Sequence, residues 1–495
     1  MLKKTIDFLT PKYLFLKNRG VFLILFLIAL FVRFPFFFRD YIDRDESTFI
    51  LMGQSWVNGY LPYMELWDLK PPVTYLFFAS IIAAFGKSFF AIRLFGTLAV
   101  VITAFFTYKI GETIASKKIG FWSGILCVLL LSMFGSLQGV MSEHICMVFF
   151  MSALYILVVY RKWYWYALAG LLMGLALMTK LNLAYALCIL GLFLGYRSFR
   201  HKEYKSGIFL IFSFGIGILT VIGLTVLPYY LEGNAIVWWK SVILAPLEYA
   251  GARRYSVFKM APVFLVLSVF FIVAWKKKYL DTKDASVQIL LVAIIGVLFS
   301  FIRGGRINGH YLIQLHPILI ILVGITVSKL TFLKKFDYRP YVLFLLVLLP
   351  MEAYLEYGAI IRNKIEKGSF YNGEGIDVPS YILNQNMDTE NILFFEYHIG
   401  YWLLEKLPPT KSATHPSSIF RGELFPFYDN PRETGLEELK FIMEDLRPRT
   451  LVVRKNKAVF DKKIIDGNNY INAYIAQNYR LVKTIDRAEI YQRLE

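Results

Sequence analysis

Six carboxylates and four cations crowd residues 39–88: Asp40, Asp43, Asp45, Glu46, Glu65 and Asp68, with Arg39, Arg44, Lys70 and Lys87. A carboxylate beside a reacting hydroxyl can take its proton as attack proceeds. Fixed Lys and Arg groups can stabilise a phosphate leaving group as its charge develops. Lys70 lies in Trp67-Asp68-Leu69-Lys70-Pro71-Pro72. Proline in a first turn is ordinary helix entry, but a lysine held by two prolines suits an anion such as phosphate. Asp45 precedes Phe49, Met52 and Trp56 at helical spacing, which places it to cap that helix. Capping accounts for one acid and leaves the cluster unexplained.

Further polar groups punctuate the apolar chain. Ser142-Glu143-His144, Lys180 with Asn182, Arg253-Arg254, and Arg303-Gly304-Gly305-Arg306 leading to His310-Tyr311 are the main ones. Each cation alone reads equally well as a snorkelling anchor at a helix end, and His144 as a packed histidine. Glu143-His144 is not a zinc motif, since no second His follows at the next helical turn. No cofactor is expected, and a divalent metal would need dispersed Asp, Glu or His ligands. The three cysteines, Cys127, Cys146 and Cys188, sit in apolar runs and form neither a disulfide framework nor a zinc spacing.

The elements that must hold these groups are membrane helices. Of 495 residues, 57% are hydrophobic and 18% charged, far from a soluble domain and from disorder, collagen or coiled coil. Eleven spans are expected: an uncleaved first one continuing from Val21 to Phe38, then runs near 89–108, 120–137, 145–160, 164–179, 183–196, 207–230, 261–275, 286–302, 311–328 and 340–357. The run Val73–Phe85 is too short to span and is assigned to the outer surface. With that parity, the cytoplasmic segments hold 22 Lys and Arg against six Asp and Glu, as the positive-inside rule prefers. The N-terminus is then cytoplasmic and residues 362–495 are extracytoplasmic. Those residues carry 19 basic and 19 acidic side chains. They read as a small α/β domain, with helices near 376–386, 398–406, 433–446 and 469–478. Its strands are expected at Asn391–Phe395, Thr450–Val453, Leu481–Ile485 and Ala488–Gln492. The division is residues 1–361, a transmembrane catalytic domain, and 362–495, the outer domain. The net charge of +18 is therefore an orientation signal, and nucleic acid is excluded as a partner.

Asp45-Glu46, the Gly59-Tyr60-Leu61-Pro62-Tyr63 turn, the Trp67–Pro72 block, and Phe85-Gly86-Lys87-Ser88 followed by Arg93 resemble the opening of the GT-C membrane glycosyltransferases. The nearest group is family 39, the protein O-mannosyltransferase-like enzymes together with the lipid A aminoarabinose transferase. Gly174–Lys180 resembles their later lysine motif, and Gly309-His310-Tyr311 with Leu315-His316-Pro317 the opening of a late span. The resemblance implies an all-α polytopic GT-C membrane fold with outer juxtamembrane helices. It also implies an inverting hexosyl- or pentosyltransferase that uses a polyprenyl-phosphate-linked sugar on the outer face of the inner membrane. Carried over, Asp45 is the catalytic base, Glu46 supports it or the acceptor, and Glu143 is the acidic residue of the second outer loop. Lys70, Lys180, Arg306 and His310 are the donor-phosphate residues. Asp68 stands two residues before Lys70 rather than beside it, which leaves the family's acidic role open between Glu65 and Asp68.

The partners implied are the polyprenyl-phosphate sugar, membrane lipid, and a glycolipid, polysaccharide or protein acceptor. Two other classes compete. A transporter or flippase of lipid-linked glycans would use as many spans, yet inverted repeats and broken mid-membrane helices are not evident. A membrane-anchored binding or assembly protein acting through residues 362–495 has no motif behind it.

Overall fold

The computed structural model describes residues 15–40, 42–252, 261–304, 308–331 and 339–494. The fold is that expected: membrane-type helices with a small sheet near the C-terminus. Among the described residues seven helices are long and apolar enough to cross a bilayer: Asn18–Phe38, Phe89–Ile114, Ser142–Val159, Leu181–Arg200, Tyr204–Leu231, Ala285–Gly304 and Tyr341–Lys367. The other four expected spans form the shorter helices Lys117–Leu130, Trp163–Leu177, Ala261–Lys276 and His316–Ser328. Helices of 13 to 16 residues reach only about 20–24 Å, so these four need flanking aromatic and basic residues to complete a crossing.

The chain folds as two compact units. The first comprises Met1–Phe37, Arg93–Thr225 and Arg253–Glu356. In it the Ser142–Val159 helix packs on Trp163–Leu177, Ala184–Arg200 packs on Ala285–Gly304, and Lys117–Leu130 packs on His316–Ser328. The second comprises Phe38–Ile92, Val226–Ala252 and Tyr357–Glu495.

Two helices of the second unit carry most of the outer-loop chemistry. Arg44–Val57 packs against Pro72–Phe85. Gly53 permits that approach, since a Cβ there would lie 2.8 Å from Phe78 Cβ and 2.9 Å from the Ala79 nitrogen. Pro72–Phe85 begins at the two prolines, ends at Gly86 with φ 68°, and is 14 residues long, as expected of a helix that does not span.

The C-terminal sheet has four strands: β1 (Leu393–Phe394), β2 (Thr450–Arg454), β3 (Tyr479–Ile485) and β4 (Ala488–Arg493). Their order is β1-β2-β4-β3. β1 runs parallel to β2, with Phe394 opposite Val452, and β4 is antiparallel to both β2 and β3. Helices Glu374–Asn384, Gly400–Leu404, Gly435–Lys440 and Ile465–Asn478 fall where the sequence places them, the third continuing as a π-helical turn to Leu446. Leu393, Leu451, Ile442, Met443 and Ile471 close the core beside the sheet. Beyond the end of β1 come Glu396 and His398, both buried. The sheet core thereby fixes the stretch of chain that meets Arg44–Val57.

Candidate functional site

Asp45 does not cap its helix. The N-cap is Asp43, whose Oδ1 accepts the Asp45 backbone N–H at 2.8 Å. A cap must precede the helical turn whose N–H it receives, and Asp45 already lies inside that turn. Its carboxylate is therefore not the group that closes the helix start. Lys70 Nζ lies 3.3 Å from Asp45 Oδ2, and His415 Nε2 lies 3.4 Å from Oδ1. The Asp45 side chain keeps 22% of its surface open.

Lys70 is held from several directions. Its backbone N–H donates to Tyr75 Oη at 3.1 Å, and its carbonyl accepts the Tyr63 hydroxyl at 2.6 Å. Its ammonium sits 5.2 Å from the centre of the Phe49 ring. Burial first, then neighbouring charges that include Asp68, raises the Tyr63 and Tyr75 phenols well above their ordinary value, so both remain donors. Asp68 accepts the Tyr75 hydroxyl at 3.1 Å and is buried. Glu65 accepts from Ser55 at 2.7 Å. Asp68 therefore braces the Lys70 turn, and Glu65 ties its loop to the Arg44–Val57 helix. Glu46 is buried in the first turn of its helix.

The C-terminal segment supplies groups that sequence reasoning missed. Arg44 pairs with Glu396, which also receives Lys457 at 3.2 Å and lies 3.9 Å from Arg454. Thr48 Oγ1 lies 2.9 Å from His398 Nε2. Burial first, then the neighbouring His415 and Arg44, holds the His398 imidazole well below the ordinary histidine value, so it is neutral. A faint signal was available: only six histidines occur, and His398 and His415 fall in the segment read as the outer domain.

In the first unit, Glu143 is fully buried in the opening turn of Ser142–Val159. Lys180 Nζ lies 2.6 Å from Glu143 Oε1 and donates to Ser142 Oγ at 3.3 Å. Ser142 Oγ donates to Glu143 Oε2 at 3.0 Å. His310 Nε2 is 3.8 Å from Glu143 Oε1, and the Lys180 ammonium is 4.9 Å from the Tyr311 ring centre. Three sequence-distant motifs thus meet around one carboxylate. His144 is a packed residue, its Nδ1 accepting the Met141 N–H at 3.1 Å and its Nε2 lying 2.8 Å from the Leu131 carbonyl. Asn182, two residues after Lys180, and Gln314 exchange amide bonds at 2.9 and 3.1 Å. Arg306, Arg253 and Arg254 lie outside the described residues. Among the described residues no group of three His, Cys, Asp or Glu is placed to hold a metal ion.

Residues 69–222 match the sequence profile of the dolichyl-phosphate-mannose-protein mannosyltransferase family. The structure of ArnT from Cupriavidus metallidurans in the apo state superimposes with a TM-score of 0.59 at 12% identity, covering 95% of this chain and 98% of that one. Its fold is GT-C. The resemblance drawn from Asp45-Glu46 and the Trp67–Pro72 block therefore holds for the GT-C architecture and for the stretch that begins one residue before Lys70. ArnT bound to undecaprenyl phosphate gives 0.49 at 13% identity, over 96% and 97% of the two chains. The Archaeoglobus fulgidus oligosaccharyltransferase in complex with Zn and sulfate gives 0.47 at 13%, over 88% and 68%. No curated protein sequence matches the chain.

Proposed function

We propose that this chain is a multi-pass inner-membrane glycosyltransferase that moves a hexose or pentose from a polyprenyl-phosphate donor to an acceptor hydroxyl on the outer face, inverting the anomeric carbon. The observation that carries the reading is the Asp45 carboxylate, facing Lys70 at 3.3 Å on a GT-C fold. The matched family's description, a mannosyltransferase that draws on dolichyl-phosphate-mannose, supports a donor of the polyprenyl-phosphate class.

In this reading Asp45 takes the proton of the acceptor hydroxyl as its oxygen attacks the anomeric carbon. The bond from that carbon to the phosphate oxygen breaks, and its electron pair leaves with polyprenyl phosphate. Lys70 turns from Asp45 to the departing phosphate and stabilises its growing charge. Lys180 and His310, gathered on Glu143, are assigned to the donor phosphate as well, with Arg306 from the same motif. Glu46 supports the first turn that carries Asp45. The N-terminus is assigned to the cytoplasm and residues 362–495 to the outer side, on the charge distribution.

The test is mass spectrometry of lipid-linked sugars and surface glycans in a strain lacking the gene, with wild type or Asp45→Asn restored. An accumulating donor and a glycan lacking one sugar are expected in the deletion and in Asp45→Asn, with both reversed by wild type. Unchanged lipid-linked sugars in the deletion would overturn the reading. Donor trapped on the cytoplasmic leaflet would point to a flippase instead.

A further inference from the structure

We propose that His415 is a positioning residue for the transfer reaction, orienting the Asp45 carboxylate through its Nε2–H, so that the C-terminal segment is a working part of the site. This rests on the reading of Asp45 as the base.

The tautomer follows from the neighbours of the ring. His415 Nδ1 accepts the backbone N–H of Ser417 at 3.3 Å and lies 2.9 Å from Ser417 Oγ. That hydroxyl oxygen already accepts from Arg421 Nη2 at 2.7 Å, which turns its own proton toward the ring. A ring nitrogen that accepts an N–H carries no proton, so in the neutral imidazole the proton is on Nε2. Nε2 is the atom that faces Asp45 Oδ1, at 3.4 Å. Contacts of this kind often stand long before substrate binds and tighten in the reacting complex.

The arrangement around the ring is built rather than incidental. The His415 side chain is 8% exposed, whereas Asp45 keeps 22%. The ring is flanked by the His398 ring, with centroids 5.9 Å apart, and His398 is itself tied to Thr48 one helical turn beyond Asp45. His415 caps the short Pro416–Phe420 helix through the same Nδ1 contact, so its ring cannot turn without breaking that cap. Lys70 meets the other carboxylate oxygen. When Lys70 moves to the phosphate, His415 remains to keep the carboxylate aimed at the hydroxyl. His415 takes no proton in the step. The hydroxyl proton passes to Asp45, the new bond forms to the anomeric carbon, and the old electron pair leaves on the phosphate.

The test compares His415→Leu, His415→Gln and Asp45→Asn as full chains at matched membrane levels. Undecaprenyl phosphate serves as the binding probe, and the initial rate of surface-glycan modification is the transfer readout. His415→Leu is expected to slow transfer by about 10–100-fold, the worth of one hydrogen bond to a charged group, with undecaprenyl phosphate binding unchanged. His415→Gln, which can place an amide N–H near the Nε2 position, is expected to regain most of the lost rate. Normal transfer in His415→Leu beside an inactive Asp45→Asn would overturn this inference and leave the base assignment standing. Equal losses in the Leu and Gln variants would also overturn it, because ring packing would then be what matters. Full activity in Asp45→Asn would overturn the underlying reading itself.

Discussion

Lys70 Nζ lies 3.3 Å from Asp45 Oδ2 and 5.2 Å from the Phe49 ring centre, so one ammonium group is shared between the proposed base and an aromatic face. Its backbone is pinned by Tyr63 and Tyr75, so a change of partner falls to the side chain. Lys70→Met is therefore expected to weaken binding of undecaprenyl phosphate by about 10–100-fold, the range for a charge-assisted hydrogen bond. Asp45→Asn is expected to leave that binding intact or tighten it, because it releases the ammonium. Titration of the purified protein, followed by native mass spectrometry, separates the two. Equal weakening in both variants would contradict the assignment of Lys70 to the phosphate.

Glu143 and Lys180 form a pair with side chains 0% and 8% exposed. Removing one partner of such a pair leaves a buried charge without compensation, at a cost of about 3–5 kcal/mol. Glu143→Gln and Lys180→Met are each expected to unfold earlier in detergent. The double variant is expected to recover part of that loss. Additive losses in the double variant would show that the two groups do not depend on each other.

Arg33 is wholly buried and directs four of its guanidinium hydrogen bonds to the connection over residues 131–139. It donates to the carbonyls of Leu131, Leu137, Gln138 and Gly139 at 3.3, 2.6, 3.3 and 2.7 Å, and to Thr97 at 3.3 Å. That connection leads into Ser142-Glu143. Lysine has three donors on one atom and cannot reproduce this spread. Arg33→Lys is expected to lower unfolding stability by about 2–4 kcal/mol, and to reduce transfer by misplacing Glu143. A melting temperature equal to wild type would refute it.

These three relationships differ in how far they could be read from the chain. Lys70 was legible because its neighbours Trp67, Asp68, Pro71 and Pro72 act locally, through helix entry and turn geometry. The meeting of Glu143, Lys180 and His310 was foreseeable only as separate motifs, since nothing in an apolar helix announces which neighbour it packs against. Asp43 took the capping role expected of Asp45 because helix starts are settled to within a residue by the first N–H that lacks a partner, and two acids stood two apart. Glu396, His398 and His415 were missed altogether. They reach the Asp45 helix across some 350 residues, through a sheet whose strands were predicted but whose docking no periodicity encodes.

Asp40 shows the same long reach in a form that one methyl group can test. Its carboxylate accepts the Gly375 backbone N–H at the start of the Glu374–Asn384 helix, and its own N–H donates to Asn372 at 3.0 Å. Gly373 has φ 109°, and a Cβ there would overlap the Asp40 carboxylate. Gly373→Ala must therefore strain the backbone and expel the acid together. It is expected to lower stability by about 2–4 kcal/mol, read by thermal unfolding of the full chain. A second-site Asp40→Gly is expected to relieve the steric part only. A Gly373→Ala protein as stable as wild type would show that Asp40 does not hold this helix.

His398 makes stability depend on pH with a definite sign. In the fold its imidazole is held well below the ordinary value by burial, then by His415 and Arg44. In the unfolded chain it titrates near the usual ~6.5. Between those two values the unfolded chain binds a proton that the folded chain refuses, so acid favours unfolding. The contribution is complete above about pH 6.5 and is lost as the pH falls toward the folded value, by about 1.4 kcal/mol per pH unit. His398→Gln retains an amide for Thr48 and removes the titration. Unfolding of the full chain in detergent between pH 8 and pH 5 is expected to show the acid slope in wild type and a shallower one in the variant. Parallel slopes would show that His398 does not carry the acid dependence.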